Sequence, residues 1–341
     1  MQYLGGKVFI HTPKIHLPAP QYTQALEWSY TKQTTGTHPW QQRFGFPETG
    51  LNICYVHYGD VRYGDAIGFY PSIQFRILSH QQIDWFWKIG GGIGYATKHW
   101  ERTPAIDSFN NIIGSSVNNF TMMQTGLRYS FAPKWRIQIG AAFDHLSNAA
   151  ARQPNFGINT FSGFVGLHYY PNFIVHVFQK QEQMKSKNPW NIGAKMSMAF
   201  AEDKTVDGPI YPYESGSVFV SKMWRNKFRC LLGADITYSE KLYAFIKNNY
   251  LYPGEEKKHS YRYTVFAGHE FVFGKIGLPL QLGYYLNHSI GGGDKIYQKL
   301  GINYHFYTAR KGVVKDMFLF TQLKTHFARA EYAEIGLGFL F

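Results

Sequence analysis

The feature that most constrains this chain is a period of two sustained through long segments. From Lys134 to Asn148, residues Trp135, Ile137, Ile139, Ala141 and Phe143 fall on one face, and Arg136, Gln138, Gly140, Ala142 and Asp144 on the other. Successive strand side chains point to opposite faces, so this is a strand with one apolar and one polar side. The pattern recurs at Ile67–Phe69–Ile73–Phe75–Ile77, at Ile83–Trp85–Trp87–Ile89–Ile93, at Phe228–Cys230–Leu232–Ala234–Ile236 and at Ile276–Leu278–Leu280–Leu282–Tyr284. These segments run roughly 10–15 residues, against a usual strand mode of about 5–6. Their polar faces hold Gly, Arg, Lys and Asp, as a water-filled lumen would.

Composition removes the rival classes. Aromatic residues make up 18% of the 341 residues, which excludes disorder. No run approaches the roughly 20 apolar residues that a spanning helix needs. Two cysteines, Cys54 and Cys230, cannot build a disulfide scaffold. Mean hydropathy is only −0.29, but alternation hides a lipid-facing side from any average. The expected fold is therefore all-β: a single antiparallel transmembrane β-barrel of about 16 strands, with roughly 12–16 as the range.

Loop lengths agree. Short links are expected at 79–81, 132–133, 225–226 and 274, and long ones at 98–116, 201–215, 238–258 and 288–297. With both termini periplasmic, nearly every short link falls on the periplasmic side, as outer-membrane barrels have it; the long links 33–49 and 171–189 are the exceptions. Residues 1–341 are expected to form one barrel, with 190–341 supplying additional strands to a half at 5–170. The start, Met1-Gln2-Tyr3-Leu4, lacks the basic and apolar regions of a signal peptide, and the expectation is a processed chain. The chain ends Ala333, Ile335, Leu337, Phe339, Phe341, which resembles the terminal signature of bacterial outer-membrane barrels.

The apolar face of 134–148 finishes with His145 and Ser147. At i and i+2 both point to the lipid side, at a strand end rising to the outer surface. A His beside a Ser is the minimal activated nucleophile, because imidazole can take the hydroxyl proton and return it. A pair so placed meets only lipid, so its natural substrate is a lipid ester. An interfacial anchoring role for His145 is the alternative.

The surrounding residues, Asp144-His145-Leu146-Ser147-Asn148 through Pro154-Asn155-Phe156-Gly157, resemble the His-x-Ser-Asn … Pro-Asn-x-Gly motif of the PagL family of outer-membrane lipid A 3-O-deacylases. Gly36-Thr37-His38-Pro39-Trp40-Gln41, Tyr58-Gly59-Asp60, Ala66-Ile67-Gly68-Phe69-Tyr70-Pro71 and Gly92-Ile93-Gly94-Tyr95-Ala96-Thr97-Lys98 are similar to its Bacteroidetes branch, and the resemblance covers about residues 5–170. It implies that Ser147 is the nucleophile and His145 the general base. It also implies that Asn148, with backbone N–H groups near Ala150, forms the oxyanion hole. His57, His99, His168, His269 and His305 are scattered without metal-ligand spacing, and no cofactor or metal is expected. Where the family has a Glu, this chain has Asn159, which shares the outward face with Phe161, Val165 and Leu167. An Asn can orient an imidazole but cannot stabilise its cation as a carboxylate does, so the departure bears on rate more than on identity. Asp144 is a poor substitute, since parity puts it on the lumen face.

Other features carry less. Gly90-Gly91-Gly92-Ile93-Gly94 lies inside a strand and has no βαβ frame, so its glycines read as lumen-facing or bend residues. The net charge of +13 is dispersed over alternating strands, which excludes a nucleic-acid partner. Lys98, Arg102 and Arg152, in outer loops, are placed to attract lipid A phosphates. Arg76, Lys88, Arg128, Arg136 and Arg229 fall on lumen faces, to line a channel or pair with Asp84, Asp144 and Asp235. The expected location is the bacterial outer membrane, and the expected partner is lipid A or lipopolysaccharide. The alternative function is a non-catalytic barrel, either a channel with a basic lumen or a scaffold subunit of an envelope complex.

Overall fold

The computed structural model describes residues 1–102, 110–171, 190–287, 290, 294–309, 311–327 and 329–341. Eight strands form one closed antiparallel barrel: β1 (Gln2–Val8), β2 (Thr23–Gln33), β3 (Glu48–His57), β4 (Asp65–His80), β5 (Ile83–Ala96), β6 (Val117–Ala132), β7 (Trp135–Ser147) and β8 (Ile158–Tyr169). Each pairs with the next, and β1 closes the ring on β8 from Gln2↔Gly166 to Val8↔Thr160. The second closed barrel comprises β9 (Trp190–Glu202), β10 (Ile210–Trp224), β11 (Phe228–Ser239), β12 (Tyr261–Phe273), β13 (Ile276–Tyr285), β14 (Ile296–Thr308), β15 (Asp316–His326) and β16 (Arg329–Leu340). It closes through β16 and β9, from Glu334↔Ala199 to Leu340↔Gly193.

The all-β antiparallel barrel and, among the described residues, the count of sixteen are as the sequence indicates. The closure differs: the strands form two rings of eight instead of one ring over 1–341. The physical reason is that alternation assigns each residue a face but not each strand a partner. Joining β1 to β8 removes both open edges of the first half, and joining β16 to β9 does the same for the second. The first strand occupies Gln2–Val8. From residue 172 on, the long link expected at 171–189 lies outside the described residues.

An eight-stranded barrel has an interior just wide enough for side chains to fill, and both interiors are filled. In the first, Glu27 is wholly buried and takes Lys88, the Tyr70 hydroxyl at 2.5 Å and Gln124 Nε2 at 3.0 Å. Arg128 donates to Glu48 at 2.8 and 3.0 Å and to Asp84 at 3.2 Å. Glycines on β4 and β5 make the room: a Cβ on Gly90 would meet the Tyr70 ring at 2.5 Å, and one on Gly68 would meet Phe120 at 2.5 Å. The run Gly90–Gly94 is thus barrel construction. In the second interior, Arg229 pairs with Glu270 at 2.6 Å and with Asp316 at 3.2 Å, while Lys299 pairs with Glu334 at 2.8 Å. Several lumen cations expected to face Asp84, Asp144 and Asp235 thus find other carboxylates: Glu27 takes Lys88, Glu48 shares Arg128 with Asp84, and Glu270 takes Arg229. Arg136 stacks on the Tyr170 ring, 4.1 Å from its centroid.

The outward faces are apolar and exposed, as on Ile137, Ile139, Val165 and Leu167 of β7 and β8. Trp135 and Tyr169 pack with ring centroids 4.8 Å apart where β7 begins and β8 ends. Aromatic rings at that height suit a membrane–water boundary.

Candidate active site

His145 and Ser147 end β7, at the barrel end where the links 9–22, 58–64, 97–116 and 148–157 gather. These links are tied together. Asn111 accepts from His16 N at 3.1 Å and donates to Lys14 O at 2.6 Å. Asn110 Nδ2 donates to Arg62 O at 3.2 Å. The Arg62 guanidinium, hydrogen-bonded to Asp60, holds that rim carboxyl below the usual range. Phe156 N and Gly157 N both donate to Ile112 O, at 2.9 and 3.1 Å. Ile15, Leu17, Tyr58, Tyr63, Ile112 and Ile113 are buried in one cluster with Leu146 and Ile158. The strand end carrying the pair is therefore seated on a packed rim.

Parity places His145 and Ser147 on the outward face, with Asp144 and Leu146 turned inward and buried. Ser147 Oγ lies 2.8 Å from His145 Nε2. On the other side of the ring, His145 Nδ1 lies 2.6 Å from Asn159 Oδ1. Asn159 faces His145 directly across the β7–β8 ladder. A carbonyl oxygen only accepts, so the His145 proton sits on Nδ1 and leaves a lone pair on Nε2 for the Ser147 hydroxyl. This is the protonation pattern that a general base for Ser147 requires. The three residues expected to act together are brought together.

The link after Ser147 is built from the rest of the motif. Asn155 Oδ1 accepts from Asn148 N at 3.0 Å, and Asn148 Nδ2 donates to Ser115 Oγ at 3.0 Å. Asn148 Oδ1 accepts from Arg152 N at 3.4 Å. Asn148 thus lies beside the serine with its backbone and side-chain donors already engaged within the rim. Ala149 and Ala150 follow with φ of 56° and 65°, two successive left-handed residues without glycine, which costs about 1–2 kcal/mol each. They turn the backbone sharply just past the serine. Lys98 stands one residue beyond the Thr97 that follows β5, Arg102 lies in the same 97–116 link, and Arg152 lies in the 148–157 link, all at the site end of the barrel.

Sequence reasoning missed one member. Asn159 Nδ2 donates to His11 Nδ1 at 2.8 Å. His11 lies 148 residues before Asn159 and belongs to no motif. Only the closure of β1 on β8, continued by Phe9 N donating to Asn159 O at 2.7 Å, brings it there. Just inside the site, Phe161 packs on Phe143 at 4.9 Å and on Phe9 at 5.7 Å, an apolar floor under the polar row.

A closed barrel with an apolar exterior, a charged packed interior and an aromatic boundary is an outer-membrane β-barrel, and this one carries a hydrogen-bonded Ser–His–Asn row on its outer face. Residues 24–168 match the family model described as Lipid A 3-O-deacylase (PagL), and residues 183–341 match that of the acyloxyacyl hydrolase C-terminal domain. The chain belongs to the PagL family of outer-membrane lipid A deacylases. Among solved structures it is similar to the outer membrane enzyme PagL, at 21% identity over 49% of this chain and 99% of that one, with a TM-score of 0.35. It is also similar to a mutant Rh. blastica porin, at 10% identity over 100% and 98% of the two chains, with a TM-score of 0.21. CdiB from Acinetobacter baumannii matches at 10% identity over 100% and 59%, with a TM-score of 0.20. A search of curated proteins gives no match.

Proposed function

We propose that the protein removes a 3-O-linked acyl chain from lipid A in the outer leaflet, with Ser147 as nucleophile and His145 as general base. The observation that carries this reading is the 2.8 Å contact between Ser147 Oγ and His145 Nε2 on the outward face of β7. The Ser147 proton passes to His145 Nε2 as Oγ bonds to the ester carbonyl carbon. The tetrahedral intermediate collapses, the bond from carbonyl carbon to the sugar oxygen breaks, and Nε2 returns the proton to that oxygen. Water, deprotonated by Nε2, then attacks the acyl-serine carbonyl; the bond to Ser147 Oγ breaks, Nε2 returns the proton to Oγ and the fatty acid leaves.

Asn159 keeps the ring in the productive tautomer without a charge. The oxyanion is assigned to donors of the turn at Asn148 and Ala150. Lys98, Arg102 and Arg152 draw the phosphorylated headgroup to this end of the barrel. The alternative of a basic channel has no support in interiors filled by ion pairs.

The test is mass spectrometry of lipid A incubated in detergent with the wild-type protein and with Ser147→Ala. Loss of one acyl chain with the wild type, abolished in the variant, is expected. Unchanged acylation with folded wild-type protein would overturn the enzyme assignment.

A further inference from the structure

His11 is a residue that neither the motif nor the triad arrangement uses, yet its ring touches the one triad member that departs from the family. A carboxylate offers an acceptor to His145 in either orientation of its group. A carboxamide does not. If the Asn159 side chain turns over, Nδ2 faces His145 Nδ1, the imidazole proton must move to Nε2, and the lone pair that receives the Ser147 proton is gone. An Asn in this position therefore needs something that holds its amide one way round.

We propose that His11 is that positioning residue: its Nδ1 lone pair accepts from Asn159 Nδ2 and thereby locks Oδ1 toward His145. The geometry is continuous, at 2.8 Å from His11 to Asn159, 2.6 Å from Asn159 to His145 and 2.8 Å from His145 to Ser147. Each contact fixes the donor or acceptor role of the next. Nδ1 of His11 accepts, so its proton lies on Nε2; Asn159 donates there and accepts from His145 Nδ1; His145 Nε2 accepts from Ser147. The backbone holds the register, since Phe9 N donates to Asn159 O. The row works as a four-residue relay of orientation.

The proposal rests on the Ser147–His145 reading, and the experiment separates the two. Lipid A hydrolysis is measured for Ser147→Ala, His11→Leu and His11→Asn, and for His11→Leu combined with Asn159→Asp, with barrel folding checked by heat-dependent gel mobility. Asn places an amide oxygen where His Nδ1 stands, so it can restore the acceptor; Leu cannot. His11→Leu is expected to lower kcat about 10-fold, the scale of one orienting hydrogen bond, with KM moved less than about two-fold. His11→Asn is expected to recover most of that loss. In the Asn159→Asp background the His11→Leu penalty is expected to shrink below about three-fold, because a carboxylate has no wrong orientation. In parallel, ¹⁵N shifts of His145 in micelles are expected to report one tautomer, protonated at Nδ1, in the wild type and a mixture in His11→Leu. That readout does not depend on turnover.

Four outcomes overturn the proposal. One is full activity and an unchanged tautomer in His11→Leu. Another is a His11→Asn protein as impaired as His11→Leu, and a third is an equal His11→Leu penalty when Asn159→Asp is also present. Activity surviving in Ser147→Ala would instead remove the catalytic reading itself, and this proposal with it.

Discussion

Gly157 lies directly against His145: a Cβ at position 157 would stand 2.8 Å from His145 Cε1 and 3.2 Å from Ser147 Cβ. Its φ of +77° is a second reason for glycine. The Pro-Asn-x-Gly half of the motif is therefore mechanical. Asn155 fastens the chain after Ser147 by accepting from Asn148 N, and Gly157 lets the return strand close over the imidazole. Gly157→Ala should displace the ring while leaving the ladder paired. A displacement of about 1 Å can cost roughly 100-fold in rate. A fall of that order in lipid A hydrolysis, with wild-type gel mobility, is the expected result, and near-normal turnover would show that the contact does not position the base.

Asn159→Asp should raise kcat. The substitution is isosteric and keeps an oxygen on His145 Nδ1, now with a negative charge beside the imidazolium that forms in the transition state. Exchanging the acid for its amide in a related array costs about 10⁴-fold, mostly through the wrong tautomer. Here the tautomer is already right, so a gain of roughly 10-fold is expected, seen in kcat more than in KM. A lower rate in Asn159→Asp would mean that the uncharged amide is the working group.

Much of this was legible in the sequence, and what was not has a definable cause. Parity alone put His145, Ser147 and Asn159 on the outward face and Asp144 inside, because strand side chains alternate without exception along β7 and β8. The strand number followed from the same rhythm. Ring closure did not, since the pairing of Gln2–Val8 with Thr160–Gly166 is a long-range choice that leaves no local pattern. His11 was invisible for that reason: it enters the site only through the β1–β8 seam. The engagement of Asn148 by Asn155 and Ser115 was equally hidden, since both partners come from rim links whose folding depends on buried Ile112 and Ile113.

The cations at the site end should act on capture, not on chemistry. Lys98 lies in the 97–116 link and Arg152 in the link after Ser147, and neither takes or gives a proton in the proposed step. Replacing both with Gln should raise KM for bisphosphorylated lipid A several-fold, with kcat changed less than about two-fold. The effect should fade as salt is added and the Debye length falls below roughly 8 Å. A dephosphorylated substrate should show no difference between the two proteins, and an equal rise in KM with that substrate would remove phosphate recognition as the cause.

The interior of the first barrel should be the main determinant of its stability. Arg128 is 1% exposed and donates to both oxygens of Glu48 and to Asp84, from three different strands. Arg128→Met keeps much of the volume but strands two buried carboxylates. Breaking a buried pair from one side costs about 3–5 kcal/mol, whereas replacing both sides is often near neutral. Arg128→Met should therefore lower the unfolding midpoint in urea strongly, and adding Glu48→Gln should restore part of it, since the amide removes one stranded charge. Urea titrations followed by gel mobility in detergent would measure both. Additive losses in the double variant would show that Arg128 stabilises the barrel by packing, not by its charge.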